Sequence, residues 1–391
     1  MSDNTNVKQG WKIWRFDQMA TNINVRIDNP SESGMEHYVG LEHLDSDSLK
    51  IRRWGTPDDV EATKLMFKEG DFIFGRRRAY QRKLGVAAFD GICSAHAMVL
   101  RAKPDVVLPE FLPFFMQSDV FMNRAVEISV GSLSPTINWK TMAVQEFALP
   151  PISQQTELVA VLRATERAIE AQTSAAQIGR ATRSALVEDG LAANFDPKVA
   201  KPLGTYLTDL SYGSSSRSAY DEQGYPILRI PNVLRGSIDY SDLQHIELTD
   251  AEYGRLGLQK GDVLLVRTNG NPHYVGRSVV IDRLHEKTVY ASYLIRIRCD
   301  ESTLRPAFLA EYLNAPSTRQ RLRGEVKSSA GNYNINIAGI RKQPICPPNV
   351  ADQDRLLLQL KGLDDAIETV ESRVVASKSM KKQLLAEAWG T

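Results

Sequence analysis

Leu149-Pro150-Pro151-Ile152-Ser153-Gln154-Gln155 decides the fold, because the chain answers it with Cys346-Pro347-Pro348-Asn349-Val350-Ala351-Asp352-Gln353. After each motif comes a long stretch without proline, 153–190 and 351–389, with a single internal glycine in each. Each predicts a helix of about 38 residues, roughly 57 Å at 1.5 Å per residue. The second has a seam of Leu356, Leu360, Leu363, Ile367, Val370 and Val374, alternating in steps of four and three, the a/d pattern of a coiled coil. The first has a seam of smaller residues: Leu158, Leu162, Thr165, Ile169, Gln172, Ala176 and Gly179. So thin a stripe on a long polar helix buries too little to stand alone. The two helices are therefore expected to pack on each other as an antiparallel pair.

Working outward from the motif, the repeat continues. Pro109-Glu110-Phe111-Leu112 is answered by Pro306-Ala307-Phe308-Leu309. Gly131-Ser132-Leu133-Ser134-Pro135-Thr136-Ile137-Asn138 is answered by Ala330-Gly331-Asn332-Tyr333-Asn334-Ile335-Asn336. The offset is 197 residues at both prolines (109 against 306, 150 against 347), about half of a 391-residue chain. A repeat fixes the domain count before any other reading. The fold class is α+β: two mixed globules in tandem, at 1–150 and 199–346, each followed by a long helix, at 151–192 and 347–391. Tyr38-Val39-Gly40-Leu41 and Ile227-Leu228-Arg229-Ile230 read as equivalent strands, as do Gly70-Asp71-Phe72-Ile73-Phe74 and Gly261-Asp262-Val263-Leu264-Leu265. A further strand (97–100; 292–297) and one short helix (110–120; 307–315) follow in each globule. With the helices antiparallel, the globules are expected at opposite ends of a rod, related by a pseudo-two-fold axis. A duplex backbone also has local two-fold axes, so two inverted readers could dock on it equivalently.

Composition excludes some classes. Hydrophobic content of 42% and charged content of 24% are ordinary for a soluble globular chain. No run of 18 apolar residues offers a membrane span. The start, Met1-Ser2-Asp3-Asn4-Thr5-Asn6, lacks the apolar core of a signal peptide. Cys93, Cys299 and Cys346 share no metal-type spacing and cannot all pair, which suits a reduced cytoplasm.

Catalytic motifs are missing. The sequence has no G-x-x-x-x-G-K-[ST], no G-x-G-x-x-G and no G-x-S-x-G. Asn271-Pro272-His273-Tyr274 resembles the N-P-P-[YF] loop of adenine methyltransferases, but its third residue is His and no glycine-rich cofactor strand precedes it. No catalytic residue and no metal ligand is assigned.

The polar, cationic residues concentrate in matching loops. Arg76-Arg77-Arg78-Ala79-Tyr80-Gln81-Arg82-Lys83 carries five cations and no acid directly after a strand. Arg267-Thr268-Asn269-Gly270-Asn271-Pro272-His273-Tyr274-Val275-Gly276-Arg277 fills the same slot in the second unit. Arginine reads guanine bidentately, Asn or Gln reads adenine, and both Lys and Arg neutralise phosphates. A second polar segment precedes each helix: Ser134 to Lys140, with Asn138 and Lys140, and Ser328 to Asn336, with Asn332, Tyr333 and Asn334. The sequence makes the first loop the more cationic of the two. A solvated charge run is the bland reading of the first loop, and self-satisfied Asn turns are the bland reading of the later segments.

In its duplicated order, the pattern resembles the specificity subunit of type I restriction-modification enzymes over nearly the whole chain, from about residue 10 to the end. The carriers are the two strand-ended globules, the turns Thr136-Ile137-Asn138 and Asn334-Ile335-Asn336, and the Pro-Pro helix starts closed by Gln155 and Gln353. The resemblance implies two target recognition domains, each reading half of a split double-stranded DNA target. It implies helices that act as spacer and dock two modification subunits. S-adenosylmethionine would be held by those partners, and ATP and Mg by motor and nuclease (restriction) subunits, with no cofactor on this chain. The leucine-poor first seam departs from the expected pattern. Two alternatives compete: a stand-alone adenine methyltransferase or nuclease fusion, and a scaffold that binds protein but no DNA.

Overall fold

The structure is a computed structural model that describes residues 8–220, 223–234, 236–329 and 331–389. The polar start Met1 to Asn6, Ala330 of the second polar segment, and Gly390 and Thr391 lie outside these residues. The chain divides into two compact units, Met1–Thr173 with Glu371–Thr391, and Ser174–Val370. The division cuts both long helices, Ile152–Ala192 and Val350–Trp389, so each unit holds half of each helix.

Each unit is built on the same four-stranded antiparallel sheet. Its order is Ala20–Ile23, Ala97–Ala102, Phe72–Gly75, Leu84–Val86 in the first unit. In the second it is Leu207–Tyr212, Leu294–Cys299, Val263–Val266, Ser278–Val280. Phe72–Gly75 and Val263–Val266 are buried along their whole length, which is why both read as unbroken apolar runs. The Gly-Asp turn ahead of each has a specific job. Gly70 and Gly261 take φ of 86° and 91°, open to glycine at no steric cost. The buried carboxylate that follows closes the turn: Asp71 accepts from the Lys68 N–H and pairs with Arg101, and Asp262 accepts from the Gln259 N–H and pairs with Arg298.

A second sheet is where the units part. Tyr38–Val39 runs parallel to Gly91–Ser94, and Tyr225–Leu228 runs parallel to Val289–Tyr290. Arg26–Ile27 and Lys64–Phe67 complete this sheet in the first unit, and Gln244–Ile246 in the second. The strand read over 38–41 is shorter, Tyr38–Val39, and the one read over 227–230 lies two residues earlier, at Tyr225–Leu228. His43 Nδ1 accepts from the Gly40 N–H and Asn232 Oδ1 from the Arg229 N–H, and each bond turns the chain into a short helical segment. The strand read from Ser292 begins at Leu294. The single short helix read in each unit is a pair: Leu112–Gln117 and Asp119–Glu127, then Pro306–Asn314 and Pro316–Arg323. Ser118 starts the second helix of its pair by accepting from the Phe121 N–H, and Pro316 drives Ala315 out of helical backbone.

The glutamine of each Pro-Pro motif pins the long helix to its globule. Gln155, 1% exposed, accepts from the Leu108 N–H at 2.9 Å and donates to the carbonyls of Pro150 and Val106. Gln353, 0% exposed, accepts from the Arg305 N–H at 2.8 Å and donates to Thr303 and Pro348. In the second motif the glutamine lies one position further from the prolines. There Asn349 caps the helix, accepting from the Asp352 N–H.

Within each unit the two helices run antiparallel. In the first, Leu162 packs with Leu385, Glu166 meets Lys381 and Gln172 meets Ser377. In the second, a side chain on Gly179 would meet Ile367, Arg183 pairs with Asp364, and one on Gly190 would meet Leu356. Leu162, Ile169, Ala176 and Leu360 are buried, while Leu158, Leu356, Leu363, Ile367, Val370 and Val374 are half-buried. The seam also has polar members that an apolar pattern hides. Lys381, 6% exposed, reaches Gln117 at 2.6 Å and Glu166. Arg183 binds Glu311 at 2.7 Å and Asp364 at 2.5 Å.

Two outcomes are expected. Gln155→Ala should leave a buried N–H and buried carbonyls unmatched and cost about 3 kcal/mol, read as a lower melting temperature; an unchanged melt would show that water replaces the clasp. Leu363→Asp with Ile367→Asp should break the helix pair and lower the melting temperature; an unchanged melt of the double variant would contradict this.

Candidate nucleic-acid interface

The loops and turns singled out in sequence are brought together in both units. In the first, Arg77 and Thr136 form an antiparallel bridge. The Ile137 N–H donates to Arg76 O at 3.0 Å and the Arg78 N–H to Pro135 O at 2.7 Å. In the second, Thr268 pairs with Asn334 and Asn269 with Tyr333, and the Ile335 N–H donates to Arg267 O at 3.0 Å. Lys327–Ser329 adds a third strand beside Asn332–Asn334. Nothing in spacing predicts these pairings, which join segments about 60 residues apart.

Arg76 and Arg267 are equivalent posts at the base of each loop. Arg76 donates to the Ala95 carbonyl at 3.0 Å, and Arg267 to the Ser292 carbonyl at 3.3 Å while lying over the Tyr212 ring. Beyond Arg76 the first loop sorts its cations. Ser134 Oγ accepts from both Arg77 and Arg78. Arg78 and Arg82 take left-handed backbone, φ 57° and 53°, around the turn Ala79–Gln81, which leaves Tyr80 55% exposed. Arg82 turns inward to Asp47, Asp119 and the Gln117 carbonyl, and Lys83 to the Leu41 carbonyl. The Gln81 carbonyl accepts from Ser46. Arg77 also touches His96, whose imidazole is pushed below its ordinary pKa by burial and by the charges of Arg77, Arg76 and Lys64. Asn138 and Lys140 are exposed, and the Asn138 side chain makes no cap.

In the second loop, Asn269 Oδ1 accepts from the Asn271 N–H and Asn271 Oδ1 from the His273 N–H, so both oxygens hold the turn. Arg277 lies over the Tyr274 ring, 4.8 Å from its centroid, and reaches the Leu234 carbonyl. Asn332 is exposed, and Tyr333 and Asn334 are half-buried. The reading that the first loop is the more cationic does not survive folding. Helix Pro316–Arg323 lies against the second loop, with Arg319 donating to the carbonyls of His273 and Val275, and Arg323 touching His273 Nδ1. Sequence reading missed these two arginines. The alternating run Arg319-Gln320-Arg321-Leu322-Arg323 was the visible signal, but it lies outside the loop.

The electrostatics separate these cations from the others. Arg101, Arg183, Arg298 and Arg305 are matched by carboxylates. Among the described residues, Arg76, Arg77, Arg78, Arg267, Arg277, Arg319 and Arg323 instead have carbonyls, hydroxyls, rings or an imidazole as partners. Their positive charge is left uncompensated.

No family model matches the chain. It is 26% identical over 362 residues to the EcoKI specificity subunit, a type I restriction enzyme protein of Escherichia coli K12, covering 85% of this chain and 77% of that one. It is 21% identical over 388 residues to the StySPI specificity subunit of Salmonella potsdam, covering 89% and 83%. A solved chain from a type I R-M system, studied for its complex assembly and conformational transition, matches with a TM-score of 0.64 at 18% identity over 98% of each chain. The type I restriction-modification S subunit of M. genitalium matches with a TM-score of 0.55 at 13% identity, over 100% of this chain and 98% of that one. In sequence over most of its length, and in fold, the chain is similar to specificity subunits of type I restriction enzymes.

Proposed function

We propose that the chain is the DNA sequence-recognition subunit of a type I restriction-modification complex, and that each unit reads one half of a bipartite target with its paired loop and turn. The observation that supports this most is the cluster of arginines without carboxylate partners, standing at the same place in both units. Such cations suit a polyanion, because binding phosphates releases counterions from the duplex. Arg78 and Tyr80 are the exposed reading groups of the first unit, with half-buried Arg77 and exposed Asn138 and Lys140 beside them. In the second unit Asn269, Asn271, His273, Tyr274, Arg277, Asn332, Tyr333 and Asn334 line the same place. Arg76 and Arg267 hold the loops, and Arg82 braces the first loop from within.

The long helices would set the half-site spacing and dock two modification subunits. Those partners would bind S-adenosylmethionine and methylate the target, and restriction subunits would use ATP and Mg. This chain would then carry no catalytic centre and act in the cytoplasm, where its DNA is. Among the described residues, no helix is long and apolar enough to cross a membrane, and no group of three or more His, Cys, Asp or Glu could hold a metal ion.

Methylome sequencing of the source cell with and without this gene should show a bipartite motif that disappears with the gene; an unchanged methylome would overturn the proposal. Two variants separate reading from bracing. Arg77→Ala with Arg78→Ala should lower the salt slope of duplex binding by up to about 2, roughly 0.9 per lost phosphate contact. Arg82→Ala should instead lower the melting temperature and leave the slope in place. The reverse pattern would exchange their roles.

A further inference from the structure

The second unit adds to its loop cations from a neighbouring helix, which the first unit does not do. Arg319 is half-buried and donates to two carbonyls of the loop, those of His273 and Val275. The heads of Arg277, Arg323 and His273 are exposed around it. Burial, with the charges of Arg277 and Arg323, pushes the Arg319 guanidinium down to about 10. So the three arginines repel one another, and no carboxylate among the described residues is paired with any of them. His273 Nδ1 lies 3.2 Å from Arg323 Nη2, and arginine can only donate. Where Nδ1 accepts from Arg323, Nε2 is left as a further donor. Gly276, at φ 84°, lets the loop pass this close, since a Cβ there would meet the Arg319 guanidinium at 2.5 Å. In the first unit the equivalent helix Asp119–Glu127 has a single arginine, Arg124, and Glu127 neutralises it.

Mutual repulsion inside a folded protein is a standing cost that an anion at the same place would relieve. A planar guanidinium matches the oxygens of a phosphate in fork geometry. We infer that Arg277, Arg323 and His273, braced by Arg319, form a backbone-phosphate site in the second unit, which adds to that unit a sequence-independent grip on nucleic acid with no counterpart on the equivalent helix of the first. This rests on the DNA-recognition reading above and assigns one part of it: phosphates of one half-site are held jointly by Arg277 and His273 of the loop and by Arg323 of a helix outside it.

The test uses the full chain, alone and with its modification subunits, titrated onto duplex DNA by fluorescence anisotropy across a salt series. Arg323→Ala should reduce the slope of log K against log salt by about 0.9, and Arg277→Ala with Arg323→Ala by about 1.8. The loss should be the same on a duplex carrying the target and on an unrelated one, because phosphates carry no sequence information. Arg323→Lys keeps the charge at an exposed position and should keep the slope, which separates charge from folding. A wild-type chain that binds duplex with a salt slope which both alanine variants retain would overturn this site while leaving the recognition reading intact. Loss of modification-subunit binding with the slope retained would reassign the cluster to a protein contact, and so overturn it as well. A wild-type chain that shows no salt-dependent binding to duplex at all would remove the recognition reading itself.

Discussion

Much of the architecture hangs on one carboxamide per unit. Gln155 and Gln353 each satisfy one backbone N–H and two carbonyls at the point where a strand, a loop and a long helix converge. Only glutamine suits this place. Glutamate could not donate to carbonyls and would bury a charge, and asparagine is a methylene too short to span the same gap. A buried polar group that is fully matched fixes geometry, because each alternative placement leaves an unmatched donor or acceptor. The fixed object here is the first turn of a helix of 40 or 41 residues, where a small error in direction grows along the whole length.

The duplicated frame is made of backbone, and the differences are made of side chains. Ile137 and Ile335 donate to the carbonyls of Arg76 and Arg267 in the same way, and each of those arginines reaches the same turn of the central sheet. Because main-chain bonds hold the loop and turn together, the exposed groups can change without unfolding the support. The first unit presents Arg78 and Tyr80 from a left-handed turn, and the second presents Asn, His and Tyr from successive asparagine-closed turns. The proposed reading of two half-sites of different sequence would use this separation.

What was legible in sequence follows from how local the signal is. The repeat, the helices and the apolar stretch of the second seam are periodic, so they could be read directly. The ends of the two seams could not, because a cation at a core position looks like the end of the pattern. Lys381 and Arg183 are nevertheless seam residues, kept there by Glu166 and Gln117, and by Asp364 and Glu311. A buried charge is tolerated when it is paired and hydrogen-bonded, and the partners come from another helix. Gln155 and Gln353 were visible as markers, yet their work depends on carbonyls about 50 residues away. The charge of the second loop was misjudged for the same reason, since Arg319 and Arg323 reach it through folding alone.

The leucine-poor seam of the first helix, a departure from the pattern the resemblance suggests, has a steric reason. At Gly179 an added Cβ would lie 2.9 Å from Ile367 Cγ1, and at Gly190 one would lie 2.9 Å from Leu356 Cδ2. Each glycine is a notch that receives a large side chain of the facing helix. Glycine inside a helix costs about 1 kcal/mol relative to alanine, so two of them weaken the first helix taken alone. The close approach they allow packs half-buried Ile367 and Leu356 against backbone, where larger residues would force the helices apart. The thin seam and the rich seam are therefore two halves of one packing solution. Enriching the first helix in leucine would separate the pair unless the second lost volume at the facing positions.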